Sequence, residues 1–337
     1  MSQLKQLSIL LLCFSVLLFP VPAFSADCCI KGFASEEALG FPVYKWGAEA
    51  SKPRAIIVAI HGLLMHGMVY SSLAEQLNSE NIMLVSLDLR GFGRWRFPDE
   101  GDSPTVENGK SCAGIDYRQS LTDIVTLLRA MHGQHPGVPV YLLGESLGAD
   151  LSIRVAAEHQ NLVDGLILSS PAIQFRKLVV TRTLLGFANP IRLVKLASIH
   201  HFSIDLSGFI TGCYATEDSR VCKFIQEDRL VRHELTLLQL IKVWRIAGGT
   251  LHRVPHLALD LPVLVVQGRE DRLLRSAGAG KLTRAIFSKN KAICWIDGLG
   301  HIIFETPYLK PQVTELVSYW VNTNVSKPIG QVKSSSI

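Results

Sequence analysis

A serine bracketed by glycines is the first feature of this sequence that could perform chemistry. The segment GESLG ends the apolar run VPVYLLGES (138 to 146) and precedes residues suited to a helix. A G-x-S-x-G pattern lets the chain turn sharply from strand to helix, so that the serine sits exposed on a strained bend. Ser146 is therefore a candidate nucleophile, and Gly144 and Gly148 permit the turn. The alternative for so short a pattern is an ordinary glycine turn with a solvated serine.

A serine stays a weak nucleophile unless a histidine accepts its proton and an acid orients that histidine. Asp271 follows the apolar run PVLVVQGRE, and His301 follows AICWIDGLG. Because ligands gather at the carboxyl ends of strands in open α/β sheets, we expect these residues to meet Ser146. The chain order Ser, Asp, His is the order of an α/β hydrolase.

Two other acids compete with Asp271. Glu270 is its neighbour, and Asp297 precedes His301 by four residues. The Gly-x-x-Asp spacing after the strand favours Asp271, whereas Asp297 would stay within the end of its own strand. Among the histidines, His301 is distinguished by its place after a glycine-flanked turn at the last predicted strand.

The oxyanion of a tetrahedral intermediate needs hydrogen-bond donors. An early strand, RAIIVAIHG, ends in His61-Gly62, where glycine lets the loop bring the next backbone amide toward the nucleophile. We predict that the amides of Leu63 and Leu147 are the donors. His61 is expected to shape the loop and not to transfer protons; the alternative is a packed core histidine.

Short apolar runs alternate with helical patterns after residue 40. The runs are almost continuously hydrophobic, as a parallel sheet covered on both faces requires. Between them, residues 117–132 and 307–322 place apolar residues at helical spacing. The alternation predicts a mostly parallel, doubly wound α/β sheet. The predicted strands are 54–62, 82–91, 138–146, 163–171, 262–271 and 291–301.

The domain organisation follows from the same alternation of strands and helices. The chain has 337 residues, of which 48% are hydrophobic and 19% charged, which excludes a disordered protein. The α/β core is predicted at 26–171 and 257–322. No strand is evident between them, so 172–256 is predicted to be a helical cap inserted over the sheet. The polar residues 323–337 are predicted to be a flexible tail.

The N-terminus has the layout of a secretory signal peptide. A lysine precedes an apolar run at 7–19, and two prolines break the run ahead of small residues. We predict that 1–25 is the signal, with cleavage after Ser25 or Ala26, and that the protein is exported to the cell exterior or the periplasm. The alternative is an N-terminal membrane anchor, although the run is shorter than the roughly 20 residues that a spanning helix needs.

Export would place the cysteines in an oxidising compartment. One of the seven, Cys13, lies within the predicted signal. Cys213 and Cys222 are near enough to close a small loop and are the predicted disulfide. Cys294, in the apolar stretch AICWI, is expected to be a buried free thiol. The pairing of the remaining cysteines stays open: Cys28, Cys29 and Cys112.

The predicted cap carries the positive excess of the chain. Residues 172–256 contain twelve Lys or Arg and six Asp or Glu, a net charge of +6, while the whole chain has +5. Its first part mixes apolar residues with Arg176, Lys177 and Arg182, a composition suited to an anionic lipid surface. The alternative is a helix buried against the active site with a solvated basic edge.

These motifs together carry a resemblance. His61-Gly62, DLRGFGR, GESLG, SSPAI, QGREDRL and GLGH, with a long insertion before the acid, resemble the monoacylglycerol lipase and lysophospholipase branch of the α/β hydrolases, of the serine aminopeptidase S33 type. The similarity covers roughly 41–322, and EDRLVRHELT in the cap is also similar to that branch. It implies the α/β-hydrolase fold with a helical lid, and a serine carboxylic ester hydrolase that needs no cofactor.

Two segments depart from the family pattern. HGLLMHG replaces the glycine-rich, acidic loop that usually follows His-Gly, and RGFGRWRFPDEGDSPTVENGKSC is bulkier than its usual counterpart. Both flank the expected acyl pocket, so they bear on the exact substrate and not on the reaction class.

The sequence therefore predicts an esterase that acts on lipid-like monoesters, such as monoacylglycerols or lysophospholipids, through an acyl-enzyme. One alternative is a serine aminopeptidase of the same fold, which would need an acidic pocket for a free amine, against the charge of the cap. Another is an inactive binding protein, against which the complete set of three residues argues. No metal is expected, since His200-His201 lacks a supporting ligand pattern. The expected partners are the ester substrate and an anionic membrane at the cap, with no nucleic acid.

Overall fold

The computed structural model describes residues 36–47, 52–97, 114–176, 203–205 and 214–325. Nine strands lie within this part of the chain: β1 Val43–Trp46, β2 Ala55–Ile60, β3 Ile82–Leu87, β4 Val140–Glu145, β5 Gly165–Ser169, β6 Ser203–Asp205, β7 Glu234–Thr236, β8 Val263–Gly268 and β9 Lys291–Ile296.

Seven of these strands form the central sheet, in the order β1-β3-β2-β4-β5-β8-β9. Only β1 runs antiparallel to its neighbour, and the other pairs within this sheet are parallel. All six predicted strands are present, so the predicted mostly parallel α/β sheet is confirmed. The sequence did not reveal β1, because its four residues at the sheet edge are too few to form a clear pattern.

Helices cover both faces of the sheet, and each face has its own apolar core. Every residue of β2, β3 and β4 is buried, which explains why these strands are apolar without alternation. The described α-helices are α1 Glu36–Leu39, α2 Ser71–Asn78, α3 Tyr117–Gln134, α4 Leu147–Glu158, α5 Ser219–Glu227, α6 Leu237–Arg253, α7 Ala277–Ala285 and α8 Pro311–Val325. Short 3₁₀ helices lie at Gly67–Tyr70, Gly93–Arg96, Gln160–Leu162 and Val254–His256.

The cap contains the helices α5 and α6, but it is not purely helical. β6 and β7 pair antiparallel in register, Ser203 with Thr236 and Asp205 with Glu234. The expectation that 172–256 has no strand was therefore wrong. Three residues in each strand are too few to produce a recognisable period of two.

The cap is pinned to the helix that follows the candidate nucleophile. Thr250 of α6 donates its hydroxyl proton to Asp150 Oδ1 at 2.5 Å, and the amide of Ala172 donates to Asp150 Oδ2 at 3.1 Å. Burial raises the pKa of Asp150 to about 7, although both donors oppose the shift. One carboxyl group thus connects α4, the start of the cap and its long helix.

The chain ends differ slightly from expectation. α8 continues to Val325, three residues into the predicted tail, because its apolar face still packs on the core.

Cys294 lies half-buried in β9 as a free thiol. Among the described residues, none of the helices is long and apolar enough to cross a membrane. Several predictions fall outside the described residues: the signal at 1–25, Cys213 and hence its pairing with Cys222, His200-His201, Lys177 and Arg182.

Candidate active site

Ser146 lies on the sharp turn between β4 and α4. Its backbone has φ of 55° and ψ of −119°, in a region that favours glycine, at a cost of about 1–3 kcal/mol. The turn is held by a hydrogen bond from the Ser146 amide to the carbonyl of Ser169, at 2.8 Å.

Both glycines of the motif are required by close packing. A Cβ on Gly144 would lie 2.3 Å from the carbonyl oxygen of Gly148, and one on Gly148 would lie 2.0 Å from that of Ile60. These separations are far below van der Waals contact with backbone that cannot move aside. The glycines therefore allow α4 to begin directly against the sheet and present Ser146 at its end.

His301 and Asp271 are paired. His301 Nδ1 lies 2.9 Å from Asp271 Oδ2, and the histidine is 6% exposed. Because Nδ1 carries a proton and donates it in a hydrogen bond to the Asp271 carboxylate, the lone pair of a neutral His301 is on Nε2. Burial alone would lower the pKa of His301, but the charge and hydrogen bond of Asp271 raise it above its usual value of 6.5.

The carboxylate of Asp271 is fully buried and surrounded by donors. Its Oδ1 accepts the amides of Leu273 and Leu274, both at 2.8 Å, and its Oδ2 also accepts from Gln267 Nε2 at 3.0 Å. Burial would raise the pKa of Asp271, but His301 and these donors hold it below its ordinary value. Asp271 therefore stays ionised and orients the histidine ring.

The two rival acids are not at this position. Asp297 is 83% exposed and forms an ion pair with Arg269 at 2.6 Å. Glu270 is also exposed. The structure thus brings Asp271, and neither of its competitors, to His301.

Glu145 joins the histidine loop to the serine turn, a role that sequence reasoning missed. Its carboxylate accepts the amides of Ile303 and Phe304, at 3.0 and 2.9 Å, and the hydroxyl of Ser169 at 2.7 Å. The residue just before Ser146 is thereby bonded to the segment just after His301. The only sign of this role in the sequence is that a charged residue, Glu145, ends an otherwise apolar strand.

The loop after β2 lies against the serine. A Cβ on Gly62 would be 3.3 Å from Ser146 Cβ, so this glycine allows close approach. The amide of Leu63 follows it, and Leu147 is the first residue of α4, where helix amides face outward along a favourable dipole. Leu147 follows Ser146 in the chain, and Leu63 follows the glycine that lies against Ser146; their role as oxyanion donors stays a prediction.

His61 is held as a neutral structural residue. The amide of Leu89 donates to His61 Nε2 at 3.0 Å, so Nδ1 carries the proton and donates to the carbonyl of Gly62 at 2.8 Å. Burial lowers the pKa of His61 to about 4. Both ring nitrogens are occupied, which leaves this histidine to fix the shape of the loop.

Residues of the cap contact the loops that carry His301 and Asp271. The carbonyl of Ala215 accepts the amides of His301 and Ile302, at 3.0 and 2.9 Å. Arg176 Nε donates to the carbonyl of Asp271 at 3.0 Å. The sequence left two roles open for the segment of Arg176, a lipid-facing surface or the solvated basic edge of a buried helix; the residue is exposed, and its guanidinium bonds to the loop of Asp271.

The unusual HGLLMHG segment is likewise bonded to the cap. His66 Nε2 lies 2.8 Å from Asp228 Oδ2, and the amide of Arg232 donates to the carbonyl of Leu64 at 2.8 Å. Leu64 has a left-handed backbone with φ of 74°. These two contacts link the loop after His61-Gly62 directly to the cap.

No metal centre is evident in the described part of the chain, where no group of three or more His, Cys, Asp or Glu residues could hold an ion. The arrangement suits acid–base chemistry: an imidazole oriented by Asp271, a half-buried serine on a strained turn, and the backbone amides that follow Gly62 and begin α4.

The chain is similar in sequence and in fold to known hydrolases. A family model described as serine aminopeptidase, S33, matches residues 51–307. Mouse monoglyceride lipase is 26% identical over 277 residues, which span 82% of this chain and 84% of the relative. Phospholipase YtpA of Bacillus subtilis is 26% identical over 264 residues, spanning 78% and 93%. A soluble variant of monoglyceride lipase from Saccharomyces cerevisiae, solved with a substrate analogue, shares the fold with a TM-score of 0.66 and 18% identity, covering 84% of this chain and 91% of that one.

Proposed function

The chain belongs to the serine aminopeptidase S33 family of α/β hydrolases, and from that premise we propose that this carboxylic ester hydrolase cleaves lipid-like monoesters with Ser146 as its nucleophile. The observation that carries the proposal is the pair His301–Asp271, tied through Glu145 to the strained turn of Ser146. The relatives named monoglyceride lipase and phospholipase support a lipid ester as the substrate.

In this mechanism, His301 Nε2 takes the proton of the Ser146 hydroxyl as its oxygen attacks the ester carbonyl carbon. His301 then gives that proton to the departing alcohol oxygen, and the acyl group stays on the serine. A water molecule, deprotonated by the same imidazole, attacks the acyl-enzyme, and the serine takes back the proton as the fatty acid leaves. Asp271 stays ionised throughout and stabilises the imidazolium.

The tetrahedral intermediates carry a negative charge on the former carbonyl oxygen. We assign its stabilisation to the amides of Leu63 and Leu147. A preorganised donor of this kind is worth about 10²–10³ in kcat. No cofactor takes part in any of these steps.

A second candidate is an aminopeptidase, because the matching family model carries that description. The triad chemistry would be the same, but recognition of a free amine needs an acidic pocket. The positive charge of the cap disfavours such a pocket.

A panel of p-nitrophenyl esters of increasing acyl length, measured beside aminoacyl anilides, separates the two candidates. Esters should be cleaved preferentially, and Ser146→Ala should abolish that activity while the protein remains folded. Preferential anilide cleavage would favour the peptidase. Labelling of Ser146→Ala by a fluorophosphonate at the rate of the parent would show that another residue is the nucleophile.

We further propose that the cap attracts the enzyme to anionic lipid. Leu238, Ile241 and Arg245 share one face of α6 by their spacing; the two apolar side chains are each 37% exposed, and Arg245 is exposed. Each basic residue near such a surface contributes on the order of 1 kcal/mol within a Debye length of about 8 Å. Hydrolysis of lysolipid in anionic vesicles should therefore fall as salt rises, and more than hydrolysis of a soluble ester. Equal salt responses would contradict the proposal.

Export by a cleaved signal at 1–25 is also proposed. The mass of the mature N-terminus decides it, since cleavage after Ser25 or Ala26 predicts two specific masses. An uncleaved chain in the membrane fraction would favour the anchor.

A further inference from the structure

Glu305 lies four residues after His301, and its carboxyl group reaches the loop after β2. The amide of Gly62 donates to Glu305 Oε1 at 2.5 Å, although 243 residues separate the two in sequence. Glu305 is 2% exposed. The Tyr70 hydroxyl shares its proton between the same oxygen, at 3.1 Å, and the carbonyl of Ile60, at 2.9 Å. Burying a carboxyl group costs free energy, so the position of Glu305 beside the Gly62 amide requires an explanation.

The carboxyl group also lies beside the nucleophile. A Cβ on Gly62 would be 3.2 Å from Glu305 Oε2 and 3.3 Å from Ser146 Cβ, so one face of this glycine meets both residues. The next amide along the chain is that of Leu63. Glycine rotates more freely about its backbone bonds than any other residue. The Gly62 carbonyl, which shares a peptide plane with the Leu63 amide, is held by His61 Nδ1 at 2.8 Å, and Glu305 holds the peptide plane on the other side of Gly62.

Building on the serine mechanism proposed above, we propose that Glu305 is a positioning residue for the oxyanion site. Its carboxyl oxygen anchors the amide of Gly62 while His61 anchors the Gly62 carbonyl, so that the two side chains together restrict rotation about Gly62 and fix the direction of the Leu63 amide. Glu305 does this as a neutral acid, so that no negative charge lies beside the oxyanion.

The charge distribution supports the neutral form. Burial and the nearby charge of Glu145 raise the pKa of Glu305 well above its usual range, outweighing the hydrogen bonds from Gly62 and Tyr70. Burial also raises the pKa of Glu145, but its three donors and the charge that His301 carries when protonated oppose this shift, and the pKa of Glu305 is raised further. The pair is therefore expected to hold one proton, on Glu305, and one charge, on Glu145.

The other titratable groups around Glu305 do not change this assignment. Tyr70 approaches from the 3₁₀ helix before α2, and burial raises its pKa well above its usual value, so it stays protonated. His61, next to Gly62, is neutral because burial lowers its pKa to about 4. An ionised Glu305 would thus add an uncompensated negative charge close to the developing oxyanion, which opposes catalysis.

Two substitutions of Glu305 separate positioning from a purely structural role. Glu305→Gln keeps a carbonyl oxygen for Gly62 but cannot ionise, whereas Glu305→Leu removes the acceptor at similar volume. The matched control is Asp164→Asn: Asp164 is a half-buried carboxylate that accepts the amide of Val140 at 2.7 Å at the opposite end of the sheet.

The variants are compared by kcat and KM on a short p-nitrophenyl ester and by the affinity of a trifluoromethyl ketone, which forms a tetrahedral adduct with the serine. For Glu305→Leu we expect kcat to fall about 10- to 100-fold, less than the 10²–10³ for outright loss of a donor, with KM within about twofold. The ketone affinity should fall by the same factor. Glu305→Gln and Asp164→Asn should stay within about threefold of the parent.

The pH dependence of kcat tests whether Glu305 acts as a neutral acid. The kcat of the parent should decline at alkaline pH as Glu305 ionises, and Glu305→Gln should extend the plateau to higher pH. This readout does not depend on Glu305→Leu, so it decides the matter if that variant does not fold.

Three results would overturn the proposal: a folded Glu305→Leu with the kcat of the parent, a Glu305→Gln as impaired as Glu305→Leu, or superimposable pH profiles of Glu305→Gln and the parent. The same assay includes Ser146→Ala. Activity retained by that variant would instead refute the serine mechanism, so the two failures are distinguishable.

Discussion

Replacing Asp271 by asparagine changes one oxygen to a nitrogen at nearly constant volume, and the structure determines how the new amide must sit. The amides of Leu273 and Leu274 both donate to Oδ1 at 2.8 Å, so the amide oxygen must remain there. The new NH₂ group then faces Gln267 Nε2 at 3.0 Å and His301 Nδ1 at 2.9 Å.

This arrangement forces the histidine into the wrong tautomer. An NH₂ group can only donate, so His301 must present its lone pair at Nδ1 and carry its proton on Nε2. The Nε2 atom can then no longer accept the proton of Ser146. The contact with Gln267 places two donors against each other, which adds a cost to stability of about 1–3 kcal/mol.

The expected loss in kcat follows from this change of tautomer. An aspartate-to-asparagine change in a Ser-His-Asp triad lowers kcat by about 10⁴, or about 5.5 kcal/mol at roughly 1.4 kcal/mol for each factor of ten. We expect Asp271→Asn to lose about 10³–10⁴ in kcat on a p-nitrophenyl ester, with KM nearly unchanged because no group that binds the acyl chain is altered.

The assay pairs initial rates with the rate of fluorophosphonate labelling, which also requires a deprotonated serine. Asp297→Asn is the control, since that acid is exposed and forms an ion pair with Arg269 at 2.6 Å. A folded Asp271→Asn within tenfold of the parent, or a comparable loss in Asp297→Asn, would refute the assignment of the acid.

Four further predictions concern ionisation and packing. The kcat/KM of the parent should rise with pH through a midpoint above 6.5, since His301 must be neutral to act as a base and Asp271 raises its pKa; a midpoint below 6.5 would contradict this. The pKa of Asp150, raised to about 7 from about 3.8, means that the folded state binds this proton more tightly, so the free energy of unfolding should fall by up to about 4 kcal/mol between about pH 4 and pH 7. Chemical denaturation should show this slope in the parent and a smaller one in Asp150→Asn, and equal slopes would exclude Asp150 as the source. Gly148→Ala should destabilise the protein and abolish activity because its Cβ would overlap the carbonyl of Ile60, whereas a thermal midpoint equal to that of the parent would show that the turn can relax. A double-mutant cycle of His66→Ala and Asp228→Ala should give a coupling of about 1–3 kcal/mol in unfolding, and additive effects would show that this contact between loop and cap contributes nothing.

Local sequence determined the parts of the site that depend on short-range geometry. The positions of Gly144 and Gly148 around Ser146 identify the turn, because only glycine tolerates carbonyl oxygens at such short separations. The apolar runs identify the parallel strands, because strands buried on both faces cannot alternate. Since parallel strands end at one edge, the residues that follow β4, β8 and β9 could be predicted to meet, and His301 and Asp271 do.

Tertiary structure alone decided which polar groups pair across long separations. Glu305 with Gly62, Glu145 with Phe304, and His66 with Asp228 are joined over 243, 159 and 162 residues. A buried carboxyl group and an exposed one have the same letter in a sequence, and nothing in the periodicity of one segment specifies a hydrogen bond to another. The short strands β6 and β7 could not be predicted from the sequence for a related reason. Three residues form a strand only when a partner strand supplies the hydrogen bonds. The sequence could thus specify the turn that carries Ser146, but the packing of distant segments determined what holds His301, the loop after β2 and the cap around it.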